Sequence, residues 1–196
     1  MSPRRIRKYE DYFQGAPGGC YASIGYNGSV RVLNLTPSTV LGWGCMNPIV
    51  IAHEWLHILG FFHMHATHNR DDYVQIHWEN IIKARIHDFE KYDSEYVSNL
   101  GLPYEYGSCM HYGTHEESAN GRPTISATRP HIGEIGQYKQ VTGLDFLRLT
   151  RLYNCAGARS TKALEKARTT VYVADKDGNL VEKQVDTTLV GDSEVF

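Results

Sequence analysis

Long apolar runs are missing from this chain: none approaches the roughly 20 residues needed to cross a bilayer, so no membrane-spanning segment is expected. The opening "MSPRRIRKYEDYF" has basic residues without the apolar stretch of a secretory signal, so no signal peptide is read here. Charge of one sign is lacking too. Twenty Lys and Arg against 22 Asp and Glu leave a formal net charge of −2, and no basic field points to nucleic acid or an anionic membrane. Cysteine is sparse, and Cys20, Cys45, Cys109 and Cys155 show no Cys-x-x-Cys spacing of the kind that binds metal. These dispersed cysteines, with the glycosylation sequons at Asn27 and Asn34, favour an extracellular protein. The 196 residues suffice for one sizeable domain whose core would not need a metal merely to fold.

What the chain does have is a local excess of histidine. "HEWLHILGFFHMH", residues 53–65, holds four of the ten, in otherwise apolar sequence. Imidazoles buried together each need a partner, and a metal ion can serve them jointly. Asn47 as N-cap, Pro48 at the first helical position and Gly60 as a left-handed cap predict a helix. On it His53 and His57, four apart, share a face, and Glu54 stands at its margin. Gly60 lets the chain leave through positive φ, so that His63 returns to the same ion. Three imidazoles that leave a position open describe a catalytic zinc site. In such a site zinc lowers the pKa of a bound water to about 7, and Glu54 takes the water's proton and passes it to the leaving amine. The reaction so described is peptide-bond hydrolysis. H-E-x-x-H alone arises by chance in about 2% of chains this long; Gly60 and His63 bring that below about one in ten thousand. His65 and His68 are expected to be solvated loop residues, because the ligand set is already complete.

Elsewhere "GSVRVLNLT", residues 28–36, reads as a strand with Val30, Val32 and Asn34 on one face and Arg31, Leu33 and Leu35 on the other. "IHWENIIKARIHDFEKY", residues 76–92, predicts an amphipathic helix through Trp78, Ile81, Ile82, Ile86 and Phe89. Residues 93–140 read mostly as loop. "TGLDFLRLTRLYNC" predicts a further helix, capped by Thr142 and Asp145 and apolar along Leu144, Leu147, Leu152 and Tyr153. After Cys155 the sequence turns polar, with a possible hairpin around Asp177 and Gly178. The expected organisation is a domain over residues 1–155 and a polar tail over 156–196.

"HEWLHILGFFH" resembles the zinc motif of the metzincin peptidases, and "SCMHY", Ser108–Tyr112, resembles that clan's Met-turn in the form used by astacins. "GGCY", "RDDYVQI", "GTHEESANGRPTI", "IGQ" and "LYNC" extend the resemblance over residues of roughly 4 to 155. It implies an α+β, astacin-like zinc peptidase fold with one zinc per chain on His53, His57 and His63, and Glu54 as catalytic base. Tyr112 would be a further zinc ligand that swings away to stabilise the oxyanion, over an apolar floor at Met110. The resemblance also implies a Cys20–Cys45 disulfide, a polypeptide substrate pairing with an edge strand at Val30–Leu35, and a secreted parent protein. Oligomeric state is not legible.

The chain departs from that family in three places. It begins after the family's upstream strands, helix and a cysteine that pairs with the equivalent of Cys155, so part of the N-terminal sheet lobe is expected to be missing. Met64 stands where the family usually has a glutamate that anchors a new N-terminus. Cys109 occupies the variable place of the Met-turn, where a pairing with Cys155 stays open. The main expectation is a zinc-dependent endopeptidase. The alternative is an impaired zinc-binding relative that acts as a peptide or partner-binding module. A cytosolic structural zinc module fits poorly, since such sites are closed by four protein ligands.

Overall fold

The structure is a computed structural model that describes residues 13–14, 18–40 and 42–185. The chain divides into two compact units, Met1–Phe61 and Phe62–Phe196. In the first, β1 (Phe13–Gln14), β2 (Cys20–Ala22) and β3 (Leu33–Leu35) form a sheet in the order β1-β3-β2, with β1 parallel and β2 antiparallel to β3. A 3-10 turn at Gly44–Met46 leads into α1 (Pro48–Ile58). The Cys20–Cys45 disulfide implied by the family resemblance is present, and ties β2 to that turn. Leu33, Leu35 and Cys45 form the small core, with Ile51 and Ile58 of α1 against it.

The strand expected over residues 28–36 is shortened to its last three apolar positions. Gly25 and Gly28 take positive φ, and Asn27 accepts from Ser29 in a tight turn, so residues 23–32 form a loop closed by the 2.8 Å bond from Ser23 N to Val32 O. Leu33 and Asn34 pair with β1 on one side while β2 lies on the other, so the expected substrate-pairing edge at Val30–Leu35 is not an edge. Among the described residues the outer strands of this sheet are β1 and β2. Asn34 is fully buried and donates its amide to Gly19 O at 2.8 Å, which removes it as a glycan acceptor.

In the second unit β4 (Val74–Ile76) pairs antiparallel with β5 (Ile125–Ala127). Then β6 (Val141–Thr142) leads into α2 (Gly143–Leu152), which is followed by α3 (Thr161–Arg168), β7 (Thr170–Ala174) and β8 (Leu180–Gln184). The last two strands form a hairpin, and β7 also pairs with β6 in a sheet ordered β6-β7-β8. One core holds Met64, Val74, Ile76, Ile81, Phe89 and Tyr104; another joins Leu144 and Leu147 of α2 to Ala167 of α3.

The helix expected over residues 76–92 is absent. Residues 78–80 and 83–89 are 3-10 turns, and Ile82 N bonds to Glu117 O while Asn80 O accepts from Ala119 N. Those long-range bonds consume the backbone groups a helix would use, so only Ile81 and Phe89 of the apolar series are buried and Trp78, Ile82 and Ile86 stay exposed. The buried face of α2 also differs from expectation: Leu144 and Leu147 point inward together with Arg148 and Arg151, while Leu152 and Tyr153 are exposed.

The cap of α2 matches the expectation. Thr142 Oγ1 accepts from Asp145 N at 3.0 Å, and Asp145 reciprocates to Thr142 N at 3.3 Å. Thr142→Ala is expected to cost about 1 kcal/mol in urea unfolding, from loss of one cap bond. Asp145→Ala, which strips several buried donors at once, is expected to cost clearly more; equal losses would deny Asp145 its wider role.

Candidate metal centre

The centre is built by the end of α1. Asn47 Oδ1 accepts from Ile49 N at 2.8 Å and Pro48 opens the helix, as the sequence predicts. At the other end Gly60 takes φ +103°, Gly60 N bonds to His57 O at 2.8 Å, and Phe61 N bonds to Leu56 O at 3.0 Å. This pair of bonds is a Schellman closure. It turns the carbonyl of Phe61 back so that His57 Nδ1 donates to it at 2.7 Å.

That bond fixes which nitrogen of His57 is the donor. A carbonyl only accepts, so Nδ1 carries the proton and Nε2 offers a lone pair. Nε2 lies 3.1 Å from His53 Nε2, and both residues are buried. Burial, with His53 beside it, pushes His57 down to about 3, so the ring stays neutral near neutral pH and Nε2 keeps its lone pair. Two imidazole nitrogens this close share either a proton or a cation, and the spacing suits both. Two nitrogens about 2.0–2.1 Å from one tetrahedral ion stand roughly 3.3 Å apart, close to the separation observed. His63 completes the set: ligand nitrogens of His53, His57 and His63 all lie within 4.8 Å of one another.

Glu54 is 4% exposed, and among the described residues its Oε2 has no hydrogen-bond partner. A buried carboxylate oxygen left unpaired is costly, and it persists where the site uses it. Desolvation raises Glu54 to about 7. The three-imidazole donor set and this orphaned oxygen fit a zinc ion with an open position.

Tyr112 is half-buried, its ring 4.5 Å from that of His63 and 4.2 Å from that of His65. Burial, then the negative charges of Asp88, Glu117 and Glu116, hold its hydroxyl well above the usual tyrosine range, so it stays protonated. Met110 is buried, and its carbonyl accepts from Met64 N at 2.7 Å. His65 is not the solvated loop residue expected from the sequence. It is fully buried and bonds through Nε2 to Asp88 O, whereas His68 is exposed. The open Cys109–Cys155 pairing is not made: Cys109 is buried and Cys155 is exposed.

Sequence reasoning missed what supports Met110. Asp145, read only as a helix cap, accepts from Ser108 Oγ at 2.6 Å and Cys109 N at 3.1 Å, and Ser108 Oγ accepts in turn from Met110 N at 3.0 Å. Arg148 joins Glu105 at 2.5 Å and Pro103 O at 2.8 Å. The only sequence signal was two charged residues one turn apart in an amphipathic helix.

A helix-borne pair of histidines, closed by a third beyond a glycine cap, is a cluster that could hold a metal ion. The model of the astacin peptidase family matches residues 4–154, and the chain belongs to the astacin family. Low choriolytic enzyme of Oryzias latipes is 42% identical over 137 residues, covering 70% of this chain and 48% of that protein. Meprin A subunit alpha of Mus musculus is 38% identical over 144 residues, covering 72% of this chain and 18% of that protein. High choriolytic enzyme 1, a hatching enzyme zinc-protease from Oryzias latipes, superposes with a TM-score of 0.66 at 38% identity, covering 78% of this chain and 72% of that one. The fold is therefore astacin-like. The chain spans about half the length of the first curated relatives it matches, 48% of low choriolytic enzyme and 46% of zinc metalloproteinase nas-4 of Caenorhabditis elegans.

The unaltered chain is expected to keep about one zinc through dialysis and His57→Ala to keep none, as read by metal analysis. Equal zinc in both would place the ion elsewhere.

Proposed function

We propose that this chain is a zinc-dependent endopeptidase that hydrolyses peptide bonds with one zinc held by His53, His57 and His63. The observation that carries this reading is the buried, unpartnered Oε2 of Glu54 next in sequence to His53, within a helix that presents two facing imidazole nitrogens. Zinc, when bound, supplies a Lewis acid that acidifies water and polarises a carbonyl.

The remaining steps belong to the chain's own residues. Glu54 takes the proton of the attacking water and returns it to the leaving amine; its elevation to about 7 suits a group that must do both near neutral pH. His57 is kept in one tautomer by the Phe61 carbonyl, so its Nε2 stays available. Tyr112 would be a further zinc ligand that releases and, as a protonated phenol, donates to the developing oxyanion. The outer strand β2, joined to the zinc helix by the Cys20–Cys45 bond and the turn that follows, offers an extended polypeptide substrate a strand to pair with.

The non-catalytic alternative rests in part on Met64. That side chain is buried in an apolar cluster with Val74, Ile76 and Tyr104, so the departure is absorbed by packing and leaves the histidines and Glu54 in place. Retention of Glu54, which a pure binder has no need of, favours the enzyme.

The reading also makes the protein extracellular. Among the described residues no helix is long and apolar enough to cross a membrane. Protein isolated from its own source should carry glycan on exposed Asn27 and none on buried Asn34, as peptide mapping would read; an unmodified Asn27 would count against secretion.

Glu54→Ala is expected to keep zinc and lower kcat/KM on casein by about 10²–10⁴-fold. Undiminished, chelator-sensitive hydrolysis in this variant would sink the assignment.

A further inference from the structure

The backbone of Tyr112 is gripped at both ends by buried histidines. His111, 1% exposed, has Nδ1 2.6 Å from Tyr112 O, and its Nε2 lies 2.6 Å from Tyr104 Oη. Because a carbonyl can only accept, Nδ1–H is the donor to Tyr112 and Nε2 is left to accept from Tyr104. His65, fully buried, uses Nε2–H on Asp88 O at 3.1 Å, which leaves Nδ1 facing Tyr112 N at a longer 3.5 Å. The two rings stand 5.8 Å apart, and the His65 ring also lies against the Tyr112 ring.

A third side is closed by Gly136. It takes φ +61°, and a Cβ there would sit 2.4 Å from His111 O, 2.5 Å from the Tyr112 carbonyl carbon and 2.6 Å from Gly113 N. All three are backbone atoms that cannot give way, so only glycine lets this segment close on the Tyr112 peptide. Gly136 is held there by the 2.9 Å bond from its N–H to Tyr106 O.

We infer that His111 and His65 are positioning residues that fix the backbone of Tyr112, so that its hydroxyl reaches the reacting carbonyl by side-chain rotation alone. This rests on the oxyanion role proposed above for Tyr112. A phenol that must swing onto a developing charge gains most when its Cα is already fixed, because a misplacement of about 1 Å can cost on the order of a hundredfold in rate. Neither histidine belongs to the three-histidine group, and each spends its second nitrogen on another partner, Asp88 O for His65 and Tyr104 for His111, which fixes its own ring.

Two amides at position 111 separate this role from packing. His111→Gln places an amide near the former Nε2, keeping an acceptor for Tyr104 but losing the donor to Tyr112 O; His111→Asn does the reverse. With casein as substrate, His111→Gln is expected to lower kcat on the order of tenfold with KM within about twofold and zinc retained, and His111→Asn to keep more of the rate. A packing role predicts the opposite order, since asparagine leaves the larger void. In a Tyr112→Phe background His111→Gln is expected to add no further loss. The same loss in both backgrounds, or asparagine as damaging as glutamine, would overturn the positioning role alone. A Tyr112→Phe enzyme with undiminished rate would overturn the role of Tyr112 itself, and this inference with it. At the other end of the peptide, His65→Asn should keep more rate than His65→Leu; equal losses would also overturn it.

Discussion

Everything at the metal centre depends on how the chain leaves α1. Gly60 is the one position there where positive φ is required, and the closure it permits does two things through one backbone turn. It ends the helix right after the second histidine, and it swings Phe61 so that a main-chain carbonyl, and not a mobile side chain, orients His57. A backbone acceptor has no rotamer to lose, so the ring is set before any ion arrives. His63 then follows within the same short run of chain, which makes the ligand set local and cheap in loop entropy.

The second unit solves a different problem, holding a polar segment rigid inside a core. Asp145 and Arg148 project from one face of α2 and between them engage Pro103, Glu105, Ser108 and Cys109, the approach to Met110. The network contains two carboxylates and one guanidinium, and it is not fully satisfied: Glu105 Oε1 and Arg148 Nε lack partners among the described residues, and burial raises Glu105 to about 7 against the pull of Arg148. Such a network is weak evidence for stability, because desolvation consumes most of the attraction. Its value lies in register. Apolar side chains could fill the same space in several ways, whereas bonds to specific backbone groups permit one placement of residues 103–110.

The three-histidine cluster was legible for a physical reason: its members lie on one helix turn and one glycine-marked exit, and both are encoded by spacing. Caps were legible on the same ground, since Asn47 and Thr142 act on residues two or three away. What failed was decided by distant partners. Residues 76–92 carry helical periodicity, yet Ile82 and Asn80 bond to Glu117 and Ala119, and nothing near them in sequence announces it. His65 was misread because its acceptor, Asp88 O, is 23 residues away. Asn34 looked like a glycan site because the strand that buries it pairs with β1 and β2, whose register no local pattern gives. Resemblance to astacins supplied the Cys20–Cys45 bond, which spacing alone left open.

Met64 is where these constraints meet. Its N–H bonds to Met110 O, so the residue after the third histidine is tied by backbone to the turn that α2 braces through Ser108 and Asp145. This tie is indifferent to side-chain identity, and it survives any substitution other than proline. The side chain itself faces Val74, Ile76 and Tyr104, where a thioether is adaptable and a charge would need a buried partner. A methionine here therefore removes a demand for a counter-charge without loosening the backbone that carries His63. The chemistry of the centre and the electrostatics of its surroundings are separable in this chain, because the first is fixed by main-chain bonds and the second by which side chains fill the space behind them.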